Sequence, residues 1–220
     1  MHILDHPSPN HGPRRGGAHP DMVVLHYTAM TGRDDALARL CDPGAQVSAH
    51  YLIDEAGCIF RLVPEDRRAW HAGKGAWGSV TDVNSRSLGI ELVNPGNAPF
   101  PAPQMAALEA LLPRLLANWK IPPERVIGHA CMAPDRKADP GPRFDWRRLA
   151  RTGLAIWPDA APASDPAHFT ADAARFGYPP AAPEALLAAF RARFRPWATG
   201  PLSPEDAGLM AHLAHRWPAA

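Results

Sequence analysis

The stretch Gly128–Trp146, GHACMAPDRKADPGPRFDW, is the most informative part of this chain because it places His129, Lys137 and Asp139 in one short irregular loop. The apolar residues directly before it predict a buried strand that ends where the stretch begins. Prolines and a glycine within the stretch restrict its backbone, so we expect the loop to hold its polar side chains in fixed directions.

His26 lies far upstream but occupies a similar position, because it closes the apolar run Met22–Leu25. Two neutral imidazoles and one carboxylate are a ligand set that Zn²⁺ takes in catalytic sites, where a fourth position stays open. His26, His129 and Asp139 are therefore a candidate zinc site. Their spacing alone is a weak signal, and a chance grouping among the 11 histidines is the alternative.

Six blocks between residues 8 and 157 carry a resemblance to a known family. In order they are SPNHGPRRGG, VVLHYTAM, VSAHYLIDEAGCIFRLV, RAWHAGKGAWG, VNSRSLGIELVNPG and VIGHACMAPDRKADPGPRFDW. With these blocks the chain resembles the type 2 N-acetylmuramoyl-L-alanine amidases, the AmpD/AmiD-like zinc amidase family, to which animal peptidoglycan recognition proteins are related. The resemblance implies Zn²⁺ as the cofactor, His26, His129 and Asp139 as its ligands, and Glu91 and Lys137 as catalytic residues.

These two catalytic assignments also make chemical sense. Glu91 lies in the strand-like run Ser87–Asn94, where a carboxylate among apolar neighbours gains a raised pKa and suits a general base. Lys137 places positive charge where the oxyanion of amide hydrolysis develops. The alternatives are a solvent-facing glutamate on an edge strand and an ordinary exposed lysine.

Four residues in the matching blocks are predicted to bind substrate: His71, Trp77, Asn84 and Arg86. His71 and Trp77 lie in a glycine-rich segment that suits the approach of a sugar-peptide, and an arginine can hold a carboxylate in two-point contact. The alternatives are packing roles for the rings and a solvated loop for Asn84 and Arg86. His50, within an apolar strand, is predicted to be a core histidine.

Composition predicts a protein that binds no nucleic acid and does not insert into a membrane. The formal net charge is +1, which provides no field for a polyanion, and no apolar stretch is long enough to cross a bilayer. Three cysteines make no disulfide framework, and the first residues show no secretory signal pattern. We therefore expect a cytoplasmic location, with oligomeric state left open.

The predicted fold is α/β, with a mixed central β-sheet flanked by helices. The predicted strands are Met22–His26, His50–Ile53, Ile59–Val63, Leu88–Val93 and Val126–Gly128, and the predicted helices are Arg33–Cys41 and Pro103–Trp119. Pro113 is an objection to the second helix, because proline within a helix usually kinks or breaks it.

The pattern divides the chain into a catalytic domain over residues 1–157, a linker over 158–166 and a small three-helix unit over 167–220. The helical segments of the last unit are Ala167–Phe176, Pro183–Arg195 and Ser203–Trp217, with Ser203 as the N-cap of the third. This unit resembles peptidoglycan-binding-like domains found in some amidases. The alternative is a packing extension that stabilises the catalytic domain.

The functional expectation is a zinc amidase that cleaves between N-acetylmuramic acid, including its 1,6-anhydro form, and L-alanine of the stem peptide during peptidoglycan recycling. One alternative is a cell-wall or phage lytic amidase that acts on polymeric peptidoglycan. A second is a non-catalytic receptor for peptidoglycan fragments, and a third is a zinc enzyme acting on another amide.

Overall fold

The architecture is built on a mixed β-sheet, seen here in a computed structural model that describes residues 2–219. The strands are β1 (Ile3–Asp5), β2 (His11–Pro13), β3 (Met22–Tyr27), β4 (Tyr51–Ile53), β5 (Ile59–Arg61), β6 (Arg67–Ala69), β7 (Ser87–Leu92) and β8 (Val126–Gly128). Six of them form the central sheet in the order β1-β5-β4-β7-β3-β8, and β2 pairs with β6 in a separate ribbon. This arrangement confirms the predicted fold class.

The middle of the sheet is parallel and brings two polar side chains together. β3 pairs with both β7 and β8 in parallel, with Leu25 opposite Gly128 and His26 opposite Glu91. Because β3 and β7 are apolar along most of their length and buried, their register is fixed by packing on both faces. His26 and Glu91 are therefore neighbours on one face, at the carboxyl ends of these strands.

Helices cover both faces of the sheet. They are α1 (Arg33–Cys41), α2 (Val83–Arg86), α3 (Ala102–Trp119), α4 (His129–Met132), α5 (Trp146–Arg151), α6 (Phe169–Phe176), α7 (Pro183–Phe194) and α8 (Pro204–Arg216). α3 packs its leucines against Val23 and Leu25 on one face. Pro113 lies on the exposed side of α3, and the helix continues through it to Trp119.

The opposite face of the sheet is covered by the C-terminal helices. Met22, Val24 and Ile127 belong to one buried cluster with Phe176 and Phe190 of α6 and α7. The C-terminal unit is thus in direct contact with the sheet, which is the geometry expected of a packing extension. None of the helices within residues 2–219 is long and apolar enough to cross a membrane.

Arg193 of α7 makes a second connection between the C-terminal unit and the sheet. Its buried guanidinium lies 4.7 Å from the ring centre of Trp146 and donates a 2.9 Å hydrogen bond to the carbonyl of Val126. Burying an arginine is costly unless it is hydrogen-bonded, and stacking on an aromatic ring offsets part of that cost. This contact ties α7 to β8, directly before the loop that contains the candidate ligands.

The predicted helices agree with the structure to within a few residues, and Ser203 caps α8 with a reciprocal capping box to Asp206. The sequence did not indicate β1, β2 or β6, each of which has three residues and no clear alternation of apolar and polar side chains. Their pairing depends on partners more than 50 residues away, such as Ile3 with Ile59. Local pattern therefore carries no signal for them.

The predicted linker packs along α8. The backbone N–H of Ser164 donates to the carbonyl of Pro204, and Asp159 forms an ion pair with Arg216. At Gly208 the approach is so close that an added Cβ would lie 2.0 Å from the carbonyl oxygen of Pro162. Gly208 is therefore required by contact with the linker, although glycine is a poor helix former.

We predict that Gly208→Ala destabilises the chain by about 1–3 kcal/mol, because the added methyl group collides with a backbone carbonyl. In an unobstructed helix the same change stabilises by roughly 1 kcal/mol, so the sign of the effect is diagnostic. Chemical denaturation followed by circular dichroism measures it. Gly12→Ala, where an added Cβ meets nothing within 4 Å, is the matched control and should be close to neutral. A stabilised Gly208→Ala variant would contradict the packing described here.

Candidate active site

Three candidate metal ligands converge at the carboxyl end of the parallel strands. His26 ends the buried part of β3, His129 begins α4 directly after β8, and Asp139 lies in the loop that follows α4. The Nδ1 atoms of His26 and His129 are 2.9 Å apart, and Oδ2 of Asp139 lies 2.9 Å from the first and 3.1 Å from the second. The structure thus brings together residues separated by up to 113 positions in the sequence.

The loop that contains Asp139 is fixed to the sheet by close backbone contacts. The N–H of Ala130 donates a 2.9 Å hydrogen bond to the carbonyl of Asp139. An added Cβ at Gly128 would lie 2.6 Å from the Pro140 ring, so only glycine lets the loop approach β8 this closely. The Asp139–Pro140 peptide bond is cis. The hydrogen bond from Ala130 and the close approach at Gly128 hold the carboxylate of Asp139 over the ends of the strands.

The chemistry of the three groups fits a divalent metal ion. Burial lowers the pKa of His26 to about 4, with the proximity of His129 acting in the same direction, so His26 is neutral at neutral pH. Burial opposes ionisation of Asp139, but its contacts with His129 and His26 outweigh burial and hold its pKa below the usual range. Two neutral imidazoles and a carboxylate at mutual contact distance match the donors that zinc takes. This group of ligands can hold a metal.

Glu91 lies beside this group with a carboxylate that is only partly satisfied. Its Oε2 atom is buried and has no hydrogen-bond partner among the described residues. Burial raises the pKa of Glu91 well above its usual range, the charge of Asp139 raises it further, and Lys137 opposes the shift. A carboxyl group with a raised pKa can both accept and return a proton near neutral pH.

A cavity of about 520 Å³ opens onto these groups. His26, His129, Asp139, Glu91 and Lys137 all line it, so the structure brings all five predicted metal and catalytic residues to one cavity. Lys137 is exposed and lies at the edge of this cavity. The remaining lining comes largely from α1, the end of β3 and Trp70.

His71 is the predicted substrate-binding residue that does reach the cavity. It is nevertheless mostly buried, and its Nδ1 lies 3.0 Å from Nε2 of His26. Burial and the neighbouring rings of His26, His50 and His129 lower its pKa well below the usual range. His71 therefore contacts the candidate ligand His26 at Nε2, the ring nitrogen that faces away from Asp139, and also lines the cavity.

Trp77, Asn84 and Arg86 do not line this cavity, and the contacts that the structure gives them are with other parts of the chain, so their role in substrate binding stays a prediction. Trp77 is 2% exposed and packs edge-on against Phe176 and Tyr178. Buried Asn84 accepts hydrogen bonds from the backbone N–H groups of residues 71 and 72. Arg86, the last residue of α2, forms an ion pair with Asp21. It lies directly before β7, whereas Glu91 lies near the other end of that strand.

Two groups that contact the candidate site have no recognisable signal in the sequence. The carbonyl of Ala72 accepts a 2.9 Å hydrogen bond from Nε2 of His129. The Ser87 hydroxyl lies 3.1 Å from Nε2 of His71. A backbone carbonyl carries no side-chain signature, and a serine at the start of a strand is unremarkable, so both emerge only from the three-dimensional structure.

Comparisons with known proteins agree with the geometry of the site. Residues 16–142 match the family model described as N-acetylmuramoyl-L-alanine amidase. The chain is 39% identical over 209 residues to the N-acetylmuramoyl-L-alanine amidase AmiD of Escherichia coli strain K12, covering 80% of this chain and 75% of the relative. It is 35% identical over 160 residues to the 1,6-anhydro-N-acetylmuramyl-L-alanine amidase AmpD of Salmonella typhimurium, covering 65% of this chain and 86% of the relative.

Solved structures extend the similarity across both parts of the chain. E. coli AmiD, in complex with the substrate anhydro-N-acetylmuramic acid-L-Ala-D-gamma-Glu-L-Lys, matches with a TM-score of 0.83 at 36% identity, covering 94% of this chain and 91% of that one. AmpDh3 of Pseudomonas aeruginosa, in complex with an anhydromuramic pentapeptide, matches with a TM-score of 0.83 at 30% identity, covering 93% and 95%.

We predict that Asp139→Asn abolishes tight zinc binding by the purified chain. The substitution keeps the side-chain volume but removes the only charged donor of the group, so the loss should exceed the roughly 10- to 100-fold that removing an outer-shell partner costs. Metal content after dialysis and competition with a chelator measure the effect. Asp66→Asn, at an exposed loop position, is the matched control. Equal zinc affinity in the two variants would remove Asp139 from the ligand group.

We also predict that His50 makes the free energy of unfolding depend on pH. Burial, together with nearby Arg14, lowers the pKa of His50 to about 3 in the folded chain, whereas an unfolded histidine titrates near 6.5. The folded state then binds fewer protons, so this stability is present above about pH 6.5 and is lost as the pH falls towards 3, at about 1.4 kcal/mol per pH unit.

Urea unfolding between pH 5 and pH 7.5 measures that slope. His50→Asn keeps an acceptor for the N–H of Gly89, which donates to Nδ1 of His50, and removes one titrating group. Its slope should be smaller by one histidine's contribution, while the exposed His215→Asn serves as control. An unchanged slope in His50→Asn would show that His50 does not titrate on unfolding.

Proposed function

The chain belongs to the N-acetylmuramoyl-L-alanine amidase family, and on that premise we propose that it hydrolyses the amide bond between N-acetylmuramic acid and L-alanine of the stem peptide. The observation that carries this proposal is the convergence of His26, His129 and Asp139 in one cavity with the carboxylate of Glu91. Ligands for a metal and a general base are the two components that metal-assisted amide hydrolysis requires.

We propose Zn²⁺ as the metal, held by Nδ1 of His26, Nδ1 of His129 and Oδ2 of Asp139. Three protein ligands of this kind are typical of catalytic rather than structural zinc, which has four. When bound, the metal supplies Lewis acidity, which polarises a carbonyl and makes water more acidic. The carboxylate and two neutral rings leave a net positive charge at the site to serve that purpose.

Glu91 acts as the general base and then as the general acid. It accepts a proton from the attacking water at its unpartnered oxygen and returns it to the departing amine of L-alanine. Its raised pKa suits both steps, because a carboxylate with an ordinary pKa would hold the proton too weakly to deliver it. The register that places Glu91 opposite His26 holds its carboxylate beside the candidate metal ligands.

Lys137 stabilises the negative charge that develops on the carbonyl oxygen during attack. It lies two residues before Asp139 and lines the same cavity. A positive charge positioned where an oxyanion forms stabilises the transition state more than the ground state. The position of Lys137 two residues from Asp139 would place this charge beside a metal ion held by the three ligands.

We propose soluble muropeptides, including 1,6-anhydro forms, as the substrates, which places the chain in peptidoglycan recycling. Support comes from the named relatives, whose descriptions specify anhydro-muramyl substrates. Cys41, Cys58 and Cys131 are free thiols, which agrees with the cytoplasmic location that we propose for such an enzyme.

For the C-terminal unit we propose two roles, completion of the core and extension of the substrate-binding surface. The first is supported by the cluster shared with the sheet. The second is supported by a further cavity of about 810 Å³ between α7 and the site loop. Lys137 and Ala138 line this cavity as well as the catalytic one, so the two lie next to each other.

We predict that Glu91→Gln lowers the turnover rate by about 10²- to 10⁴-fold, the usual contribution of general acid–base catalysis, while zinc binding persists. Release of stem peptide from purified anhydro-muropeptides, followed by mass spectrometry on zinc-loaded protein, measures the rate. Glu55→Gln, in the hairpin turn between β4 and β5, is the matched control and should retain full activity.

The same assay with intact sacculi separates the alternatives. Release from soluble fragments alone supports a recycling amidase, and efficient release from sacculi supports a lytic one. A zinc-loaded chain that binds fragments and releases nothing from either substrate would overturn the proposed activity in favour of a receptor.

A further inference from the structure

The segment His71-Ala72 contacts both candidate histidine ligands, on the side away from Asp139. The ring of His71 contacts Nε2 of His26, and the carbonyl of Ala72 contacts Nε2 of His129. In both histidines the other nitrogen, Nδ1, faces the ligand group. One two-residue segment therefore controls the hydrogen bonding of both rings.

The protons in this network can be assigned from chemistry alone, beginning at Ser87. Its hydroxyl donates its single proton to the carbonyl of Val83 at 2.5 Å, since a carbonyl can only accept. The oxygen of Ser87 then accepts from Nε2 of His71, 3.1 Å away. His71 therefore carries its proton on Nε2 and, as a neutral ring, presents a lone pair at Nδ1.

That lone pair determines the tautomer of His26. Because Nδ1 of His71 accepts, Nε2 of His26 must be the donor across their 3.0 Å contact. Nδ1 of neutral His26 is then unprotonated. At His129 the carbonyl of Ala72 has the same effect, because it requires a proton on Nε2 and leaves Nδ1 free. Both rings thus direct a lone pair at Nδ1 into the space that Oδ2 of Asp139 also faces, as metal ligands must.

Two further residues keep His71 in place. Oδ1 of Asn84 accepts hydrogen bonds from the N–H groups of His71 and Ala72, at 3.0 and 2.9 Å. Gly89 lies under the ring, and an added Cβ there would be 2.4 Å from the His71 ring carbon Cγ. The missing side chain of Gly89 makes room for the ring between Ser87 and His26.

We propose that His71 is a positioning residue that sets the tautomer of His26 through the chain Ser87–His71–His26, rather than a substrate contact. This inference rests on the proposed metal site and deepens it. It predicts that loss of the acceptor at residue 71 weakens zinc binding, whereas a side chain that keeps an acceptor at the position of Nδ1 preserves it.

The test is zinc affinity of the full chain, measured by competition with a chromogenic chelator. His71→Leu should bind zinc about 10- to 100-fold more weakly than the unaltered chain, the usual cost of losing an outer-shell partner. His71→Asn, whose amide oxygen can replace Nδ1 as acceptor, should come within about threefold. Val24→Ala removes buried volume from β3, the strand that holds His26, but leaves these hydrogen bonds intact. This control variant should bind zinc as the unaltered chain does.

A second pair of variants tests the Ser87 end of the hydrogen-bond series Ser87–His71–His26 and leaves His71 unaltered. Ser87→Ala frees His71 to change its tautomer and should weaken zinc binding, and Ser87→Thr, which keeps the hydroxyl, should restore it. In nitrogen NMR spectra of the zinc-loaded protein, the Nε2 proton of His26 should be protected from exchange and should lose that protection in His71→Leu.

The outcomes separate this inference from the proposed function. Failure of the unaltered chain to bind zinc would overturn the metal site itself. Unaltered zinc affinity in folded His71→Leu or Ser87→Ala would overturn only the positioning role. A raised KM at saturating zinc, with zinc affinity unchanged, would also overturn it and would return His71 to the role of substrate contact.

Discussion

The parallel register between β3 and its two neighbours is the constraint on which the site depends. It sets His26 beside Glu91 and aligns Leu25 with Gly128. His129, the first residue of α4, therefore lies directly beyond the end of the sheet. A shift of one residue in either pairing would turn an entire strand over and point its polar side chain into the opposite face. The register is secured by packing on both faces, by α3 on one side and the C-terminal helices on the other.

Burial then determines the protonation states of the side chains that this register brings together. The same exclusion of water keeps the imidazoles of His26 and His71 neutral and favours the protonated form of Glu91. The pKa of Asp139 nevertheless stays below its usual range, so its side chain is a carboxylate. Neutral rings, one charged carboxylate and one proton carrier are thus produced by position alone, from residue types that titrate differently in water.

The sequence predicted the parts of the fold that have strong local patterns. β3, β7 and β8 are apolar runs, α3 has leucines at helical spacing, and polar residues at the strand ends indicated His26 and His129. Family resemblance added the roles of Glu91 and Lys137, which still await the experiments described above. Trp77 shows where such reasoning stops, because its packing against Phe176 of α6 has no signal in the sequence around Trp77. A sequence motif specifies residue types, but what each side chain contacts depends on segments that are distant in the chain.

The covering of the second sheet face by α6 and α7 has a consequence for how the protein is made. Synthesis proceeds from the amino terminus, so Met22, Val24 and Ile127 leave the ribosome well before the phenylalanines that bury them. Until α6 and α7 emerge, the apolar side chains on one face of the nascent sheet remain exposed to solvent. The order in which the two faces of the sheet are covered therefore follows from the position of α6 and α7 after the strands in the chain.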